Sequence, residues 1–250
     1  MNADGSEQVR VVTPGSAVAP RWSPDGSRIV FYSRFPAQDP SISLINADGT
    51  GLVQLLRTAY EGGPLDSFGS GADWSPDGSK IVFPGRLDGA EGLYVMNIDG
   101  TGLVKITSGG NKPDWGLNNL ILFEHSPVDE NRELWTVAPD GSGLTRLTNS
   151  ESDEVGGRWS PDGTQIIFTY LTNIYVSNAD GSNPQQIGIQ NEDESLLAWS
   201  KDGSKILFTA YDHPCPCSNN EVWIMNSDGT GRSIITNNSA HDNTADWRWD

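Results

Sequence analysis

Trp22-Ser23-Pro24-Asp25-Gly26, followed by Ser27-Arg28-Ile29-Val30-Phe31, is the stretch that decides the fold. Its first five residues return intact at 74–78 and 159–163. They return degraded as Trp199-Ser200-Lys201-Asp202-Gly203 and Trp115-Gly116-Leu117-Asn118-Asn119, and cut short as Trp247-Arg248-Trp249-Asp250. Successive tryptophans lie 52, 41, 44, 40 and 48 residues apart. Self-similarity at this period marks a propeller or solenoid built from one repeated supersecondary unit. A second phrase interleaves with the first: Asn46-Ala47-Asp48-Gly49-Thr50-Gly51, with relatives at 97–102, 138–143, 178–183 and 226–231, and a shorter copy at 2–6.

Each tryptophan phrase leads into an apolar run that ends in Phe: Phe31, Phe83, Phe123, Phe168 and Phe208. That spacing fits two short strands joined by a turn in which Pro pre-sets φ and Gly accepts positive φ. A third strand precedes each Asp-Gly and alternates aliphatic with aromatic or polar residues, as in Leu93-Tyr94-Val95 and Val222-Trp223-Ile224. Apolar residues on both faces predict a sheet covered on both sides. The fourth strand, around Val53, Val104, Thr145 and Ser233, is more polar and suits an outer edge.

The expected architecture is all-β: a six-bladed β-propeller of four-stranded antiparallel blades in one domain spanning 1–250. Complete blades are expected at 20–57, 72–107, 113–148, 157–187 and 197–236. The sixth is split between the termini, with an inner strand at 245–250 and an outer strand within 2–13, chiefly Glu7–Thr13. Its two middle strands are missing, so the blade is incomplete and its open edges would allow dimerisation of an otherwise monomeric chain. The chain starts inside one repeat and stops inside another, and reads as a fragment or a mature domain.

Composition narrows the partners. With 33 acidic and 16 basic residues the formal charge is −17, a surface that repels phosphate backbones and anionic lipid. Nucleic acid and direct membrane binding are therefore not expected, and a protein or peptide partner is. Two cysteines are too few for a disulfide scaffold. No nucleophile elbow of the Gly-x-Ser-x-Gly kind is present.

The two phrases closely resemble the repeats of TolB-type six-bladed propellers, over nearly the whole chain. The resemblance implies a non-enzymatic scaffold for protein–protein or ligand docking, periplasmic, extracellular or at the cell surface. The extra N-terminal α/β domain of TolB has no counterpart in this sequence. Similar repeats form the propellers of prolyl-oligopeptidase-like enzymes and oligogalacturonate lyases, so the rival function is a metal-assisted polysaccharide lyase or hydrolase.

Three groups of residues are candidates for a site. The blade pattern puts His125, His213 and His241 on one face, with an acidic rim of Glu151, Asp153, Glu154, Glu192, Asp193, Glu194 and Asp242, and with Asp129, Glu130 and Asp212 nearby. This is the expected partner face and, for the rival reading, the metal-bearing one. The residue before each repeat tryptophan faces the channel: Arg21, Asp73, Asp114, Arg158, Ala198 and Asp246. There the two arginines are expected to balance the three aspartates. His213, Cys215 and Cys217 are weak zinc candidates, with no fourth ligand and an unusual Cys-x-Cys spacing. No cofactor is expected beyond an allowance for a bound divalent cation such as calcium; the Asp-Gly turns lack the closing Glu of a calcium loop and read as hairpin turns.

Overall fold

The structure is a computed structural model that describes residues 16–34, 41–57, 71–87, 89–128, 130–188, 195–211, 220–236 and 246–247. Among the described residues twenty strands form five antiparallel meanders. Blade one contains β1 (Ser16–Trp22), β2 (Arg28–Arg34), β3 (Ser41–Asn46) and β4 (Val53–Arg57). Blade two contains β5 (Asp73–Trp74), β6 (Lys80–Leu87), β7 (Ala90–Asn97) and β8 (Val104–Lys105). Blade three contains β9 (Asn111–Trp115), β10 (Ile121–His125), β11 (Glu133–Val137) and β12 (Thr145–Arg146). Blade four contains β13 (Glu154–Trp159), β14 (Gln165–Tyr170), β15 (Asn173–Asn178) and β16 (Gln185–Gln186). Blade five contains β17 (Ser195–Trp199), β18 (Lys205–Tyr211), β19 (Asn220–Asn226) and β20 (Ser233–Ile234).

Among the described residues five blades are formed, against the expected six. The sequence holds five full sets of four strand segments, and only inner and outer segments for a sixth. Of that split blade, Asp246 and Trp247 are described and form no ladder; residues 2–13 lie outside the described residues. The pair nevertheless takes the sixth place in the ring. The Trp247 indole donates to Ala198 O at 3.3 Å, and the Trp22 amide donates to Asp246 Oδ2 at 3.0 Å, so 246–247 bridges blade five to blade one.

Each tryptophan phrase closes the first hairpin of its blade. The Gly26 amide donates to Ser23 O at 2.8 Å, and Asp25 Oδ1 accepts from the Ser23 hydroxyl and the Ser27 amide. The second phrase closes the third hairpin in the same manner, with Gly49 donating to Asn46 O and Asp48 accepting from Thr50. The two turns touch through the Ala47 amide and Ser27 O at 2.9 Å. Both therefore lie at one end of every blade, the turn face. The β2–β3 type of connection and the links between blades lie at the other end, the loop face.

The core runs between blades rather than within them. Leu44 and Tyr32 of blade one pack with Ile81 and Phe83 of blade two, and comparable clusters join blades two to three, three to four and four to five. The repeat phenylalanines are at most 2% exposed. Three stack on the third-strand aromatic of the same blade: Phe83 on Tyr94, Phe168 on Tyr175, Phe208 on Trp223. Blades approach so closely that a Cβ on Gly229 would stand 2.4 Å from Ile187 O of the preceding blade, which is why this turn tolerates only Gly.

Inner strands carry one device the repeat did not announce. Ladder register shifts between Val18 and Arg21, between Val155 and Arg158, and between Ser195 and Ala198. The residue three before the tryptophan is left-handed at Ala19, Gly71, Lys112 and Gly156, with φ of 51°, 86°, 46° and 71°. A bulge of this kind bends the strand and re-aims the side chains after it. Those side chains are the ones before each tryptophan, which line the channel.

Candidate functional site

The inner strands converge on a cavity of about 170 Å³ at the turn-face end of the channel. Its walls include the five repeat tryptophans 22, 74, 115, 159 and 199, and Pro24, Pro76, Leu117 and Pro161 of the turns stand at its mouth. Leu117 occupies the place of the turn proline in blade three and is 68% exposed. Arg21, Asp73, Asp114, Arg158 and Asp246 line the same cavity, with Ala198 at the fifth blade's position.

The three aspartates do more than balance charge. Each carboxylate reaches the backbone of the next blade: Trp115 N–H donates to Asp73 Oδ2 at 2.7 Å, Trp159 N–H to Asp114 Oδ2 at 2.7 Å and Trp22 N–H to Asp246 Oδ2 at 3.0 Å. The arginines pair with two of them. Arg21 Nη1 lies 3.3 Å from Asp246 Oδ1, and Arg158 Nε lies 3.7 Å from Asp114 Oδ1. Asp73 has no guanidinium within pairing distance among the described residues. Burial, and next the charge of Asp114, push its carboxyl up to about 7; the more distant Arg21 offsets this only in part. Burial also raises Asp246 and lowers Arg158.

At the loop face the expected rim is only partly described. His213, His241, Glu192, Asp193, Glu194, Asp242, Asp129 and Asp212, and with them Cys215 and Cys217, lie outside the described residues. His125 ends β10 and packs edge-on against Trp135, 5.5 Å between ring centroids, and beside Gly109. Burial lowers its pKa, and the Glu130 charge opposes that shift. Glu151 is exposed and lines a polar groove of about 560 Å³ with Asp153 and Arg132. Asp153 accepts from the Arg132 amide at 2.8 Å and from its guanidinium at 2.7 Å. Glu154 belongs to the interior rather than the rim, at 7% exposed. Among the described residues no three His, Cys, Asp or Glu side chains are grouped to hold a metal.

Buried glutamates are the feature that sequence reasoning missed. Glu133, fully buried, accepts from Arg146 Nη2 at 3.0 Å, the Thr148 hydroxyl at 2.8 Å and the Ser150 amide at 2.9 Å. Glu154 Oε2 has no hydrogen-bond partner among the described residues, and burial, with the Glu133 charge, pushes its carboxyl up to about 7. Glu124, 2% exposed, joins the Lys112 ammonium at 3.0 Å to the Gly156 amide of blade four. Blade five repeats part of the pattern, with the Thr236 hydroxyl donating to Glu221 at 2.7 Å. The available signal was a Glu opening the third strand, in Glu133-Leu134-Trp135 and Glu221-Val222-Trp223, with a Thr 15 residues on.

Fold and repeat define a β-propeller whose inner strands line a central channel. Comparison with known proteins sharpens that class. The model of the dipeptidyl peptidase IV N-terminal region, another propeller family, matches residues 131–214. An uncharacterized protein of Agrobacterium fabrum is 27% identical over 206 residues, covering 65% of this chain and 69% of that protein. A protein TolB homolog of Chlorobium luteolum is 31% identical over 156 residues, 59% of this chain but only 32% of the relative, so the chain spans about a third of that protein. The solved structure of a putative TolB from Agrobacterium tumefaciens superposes with a TM-score of 0.75 at 20% identity, covering 90% of this chain and 82% of that one. The chain is a β-propeller, and it is similar in sequence and fold to TolB-type propellers.

Proposed function

We propose that this propeller is a non-enzymatic docking scaffold of the cell envelope or cell surface, and that a peptide segment of a partner protein docks at the turn-face mouth of the channel. The observation that carries this reading is the cavity itself. Tryptophan and proline surround its opening, and its charged groups are fixed by main-chain bonds before any partner arrives. Preorganised, aromatic-lined pockets with few polar groups are what ligand recognition uses. The kinship to TolB-type propellers supports the scaffold reading and the envelope location. His125, packed on Trp135, lends no support to a histidine-centred metal site at the loop face.

The test is panning of displayed peptides on the purified chain, followed by two variants. Enriched peptides should lose at least about ten-fold in affinity with Leu117→Glu at the mouth and keep it with Glu151→Lys at the loop face. Loss confined to Glu151→Lys, or turnover of a polysaccharide by the purified chain, would overturn the reading.

A further inference from the structure

The channel cavity holds three carboxylates and two guanidiniums. The pairing is unequal. Arg21 serves Asp246 and Arg158 serves Asp114, while Asp73 has only the Trp115 amide, on Oδ2. Its Oδ1 has no hydrogen-bond partner among the described residues. A half-buried carboxylate left without a counter-ion in a tryptophan-lined cavity either keeps a proton or takes a cation. The ring leaves room for the second outcome: Ala198, the only uncharged residue of the six, stands three places round from Asp73.

We propose that this cavity receives a single primary ammonium on an alkyl stem, the group a lysine side chain of a partner presents, with Asp73 as its counter-ion. The one free oxygen of Asp73 selects ammonium over guanidinium. Bidentate pairing with an arginine fork needs both carboxylate oxygens, and Oδ2 is already committed; a point donor needs one. The stem has apolar company in Trp74, Trp115 and Pro76, and indole faces attract cations. Asp73 titrating at about 7 agrees with a carboxylate that lacks its partner. The inference rests on the docking reading of the mouth and names the chemistry of its partner.

The probe is n-butylammonium chloride, titrated into the chain with 15N-labelled tryptophan at pH 8. Saturable shifts are expected at the channel indoles, with binding at least about ten-fold weaker in Asp73→Asn and unchanged in Asp153→Asn. n-Butanol and potassium chloride serve as controls. Equal shifts from n-butanol would show that only the stem is recognised. Displacement by an equal concentration of potassium would show a site for bare ions. Either result, or no saturable shift, or undiminished binding by Asp73→Asn, overturns the proposal. Should Asp73→Asn fail to fold, the wild-type chain at pH 5.5 and 8.5 replaces it: binding should weaken at least about ten-fold at the lower pH, and equal binding would overturn the proposal. Panned peptides that still depend on Leu117 would leave the docking reading intact even then.

Discussion

The two ends of this ring manage charge differently. At the turn face the solution is periodic. Asp25, Asp77 and Asp202 are held at about 2, first by the hydroxyls of Ser23, Ser75 and Ser200 and then by turn amides. Three channel aspartates bond the next blade's main chain. At the loop face, among the described residues, the solution is fullest in blades three and four and only partly repeated in blade five. Glu124, Glu133, Arg132 and Arg146 are tied by side-chain bridges, and Glu154 Oε2 is left without a hydrogen bond among the described residues. Main-chain bonds recur because the backbone recurs. Side-chain bridges form only where sequence happens to place both partners, and they can leave one group stranded.

The strongest way to break this contrast is to remove the aromatic wall on which the turn face depends. Trp159 is 7% exposed and packs with Leu122, Leu134, Ile166 and Phe168 across blades three and four. Trp159→Ala should cost roughly 3–5 kcal/mol in denaturant melts. A loss below about 1 kcal/mol would mean that the blade interface does not rely on that ring.

Next comes the best-satisfied bridge of the loop face. Glu133→Gln swaps one acceptor oxygen for an amide donor in a buried site that meets Arg146, the Thr148 hydroxyl and the Ser150 amide. The new amide faces the Thr148 hydroxyl, which must give up its bond to this side chain, and Arg146 loses its buried counter-charge, so the expected loss is about 2–3 kcal/mol. A loss no larger than that of an exposed ion pair would show that water replaces the carboxylate there, and that this end is wetter than its burial implies.

These two residues also show what was legible beforehand. Trp159 announced itself, because a repeated Trp at a repeated distance from a repeated Phe has one economical explanation in a meander of strands. Glu133 did not, because a single Glu before a strand ordinarily reads as solvated edge; its burial follows from the neighbouring blade's approach, a distance the local sequence does not encode. The inner-strand bulge stayed hidden for a related reason. Of the four left-handed residues that stand three before a repeat tryptophan, Gly71 and Gly156 are glycines, whereas Ala19 and Lys112 take positive φ under tertiary constraint. Arg21 lies beside Asp246 and Arg158 beside Asp114, as charges of opposite sign on neighbouring inner strands allow. The links of Asp73, Asp114 and Asp246 to the next blade's amides were not expected, because they depend on how far that bulge turns the side chain.

Glu154 sharpens the contrast by changing the sign of the effect. Its carboxyl is raised from 4.5 to about 7, chiefly by burial. Below about pH 4 it is protonated in both folded and unfolded chains and contributes no pH dependence. Between about 4.5 and 7 the unfolded chain releases the proton while the folded chain keeps it, so this residue makes stability fall as pH rises, and the penalty levels off above 7. Glu154→Gln should therefore leave stability unchanged near pH 4 and raise it by roughly 2 kcal/mol at pH 8. Melts of variant and wild type at both values decide it; a stabilisation equal at the two pH values would show that the carboxyl is not the titrating group.

The smallest effect is expected from the loop face's most visible ion pair. Arg132 and Asp153 make three hydrogen bonds at 2.7–2.9 Å, yet both side chains are more than 40% exposed. Water and salt screen such a pair, and holding two mobile side chains together costs entropy. Asp153→Asn should cost less than about 1 kcal/mol, and that loss should shrink further at 1 M salt. Glu133 accepts the same number of hydrogen bonds, but in the dry interior. If Asp153→Asn proved as costly as Glu133→Gln, then burial would not be what separates the bridges that hold blades three and four together from those that merely decorate them.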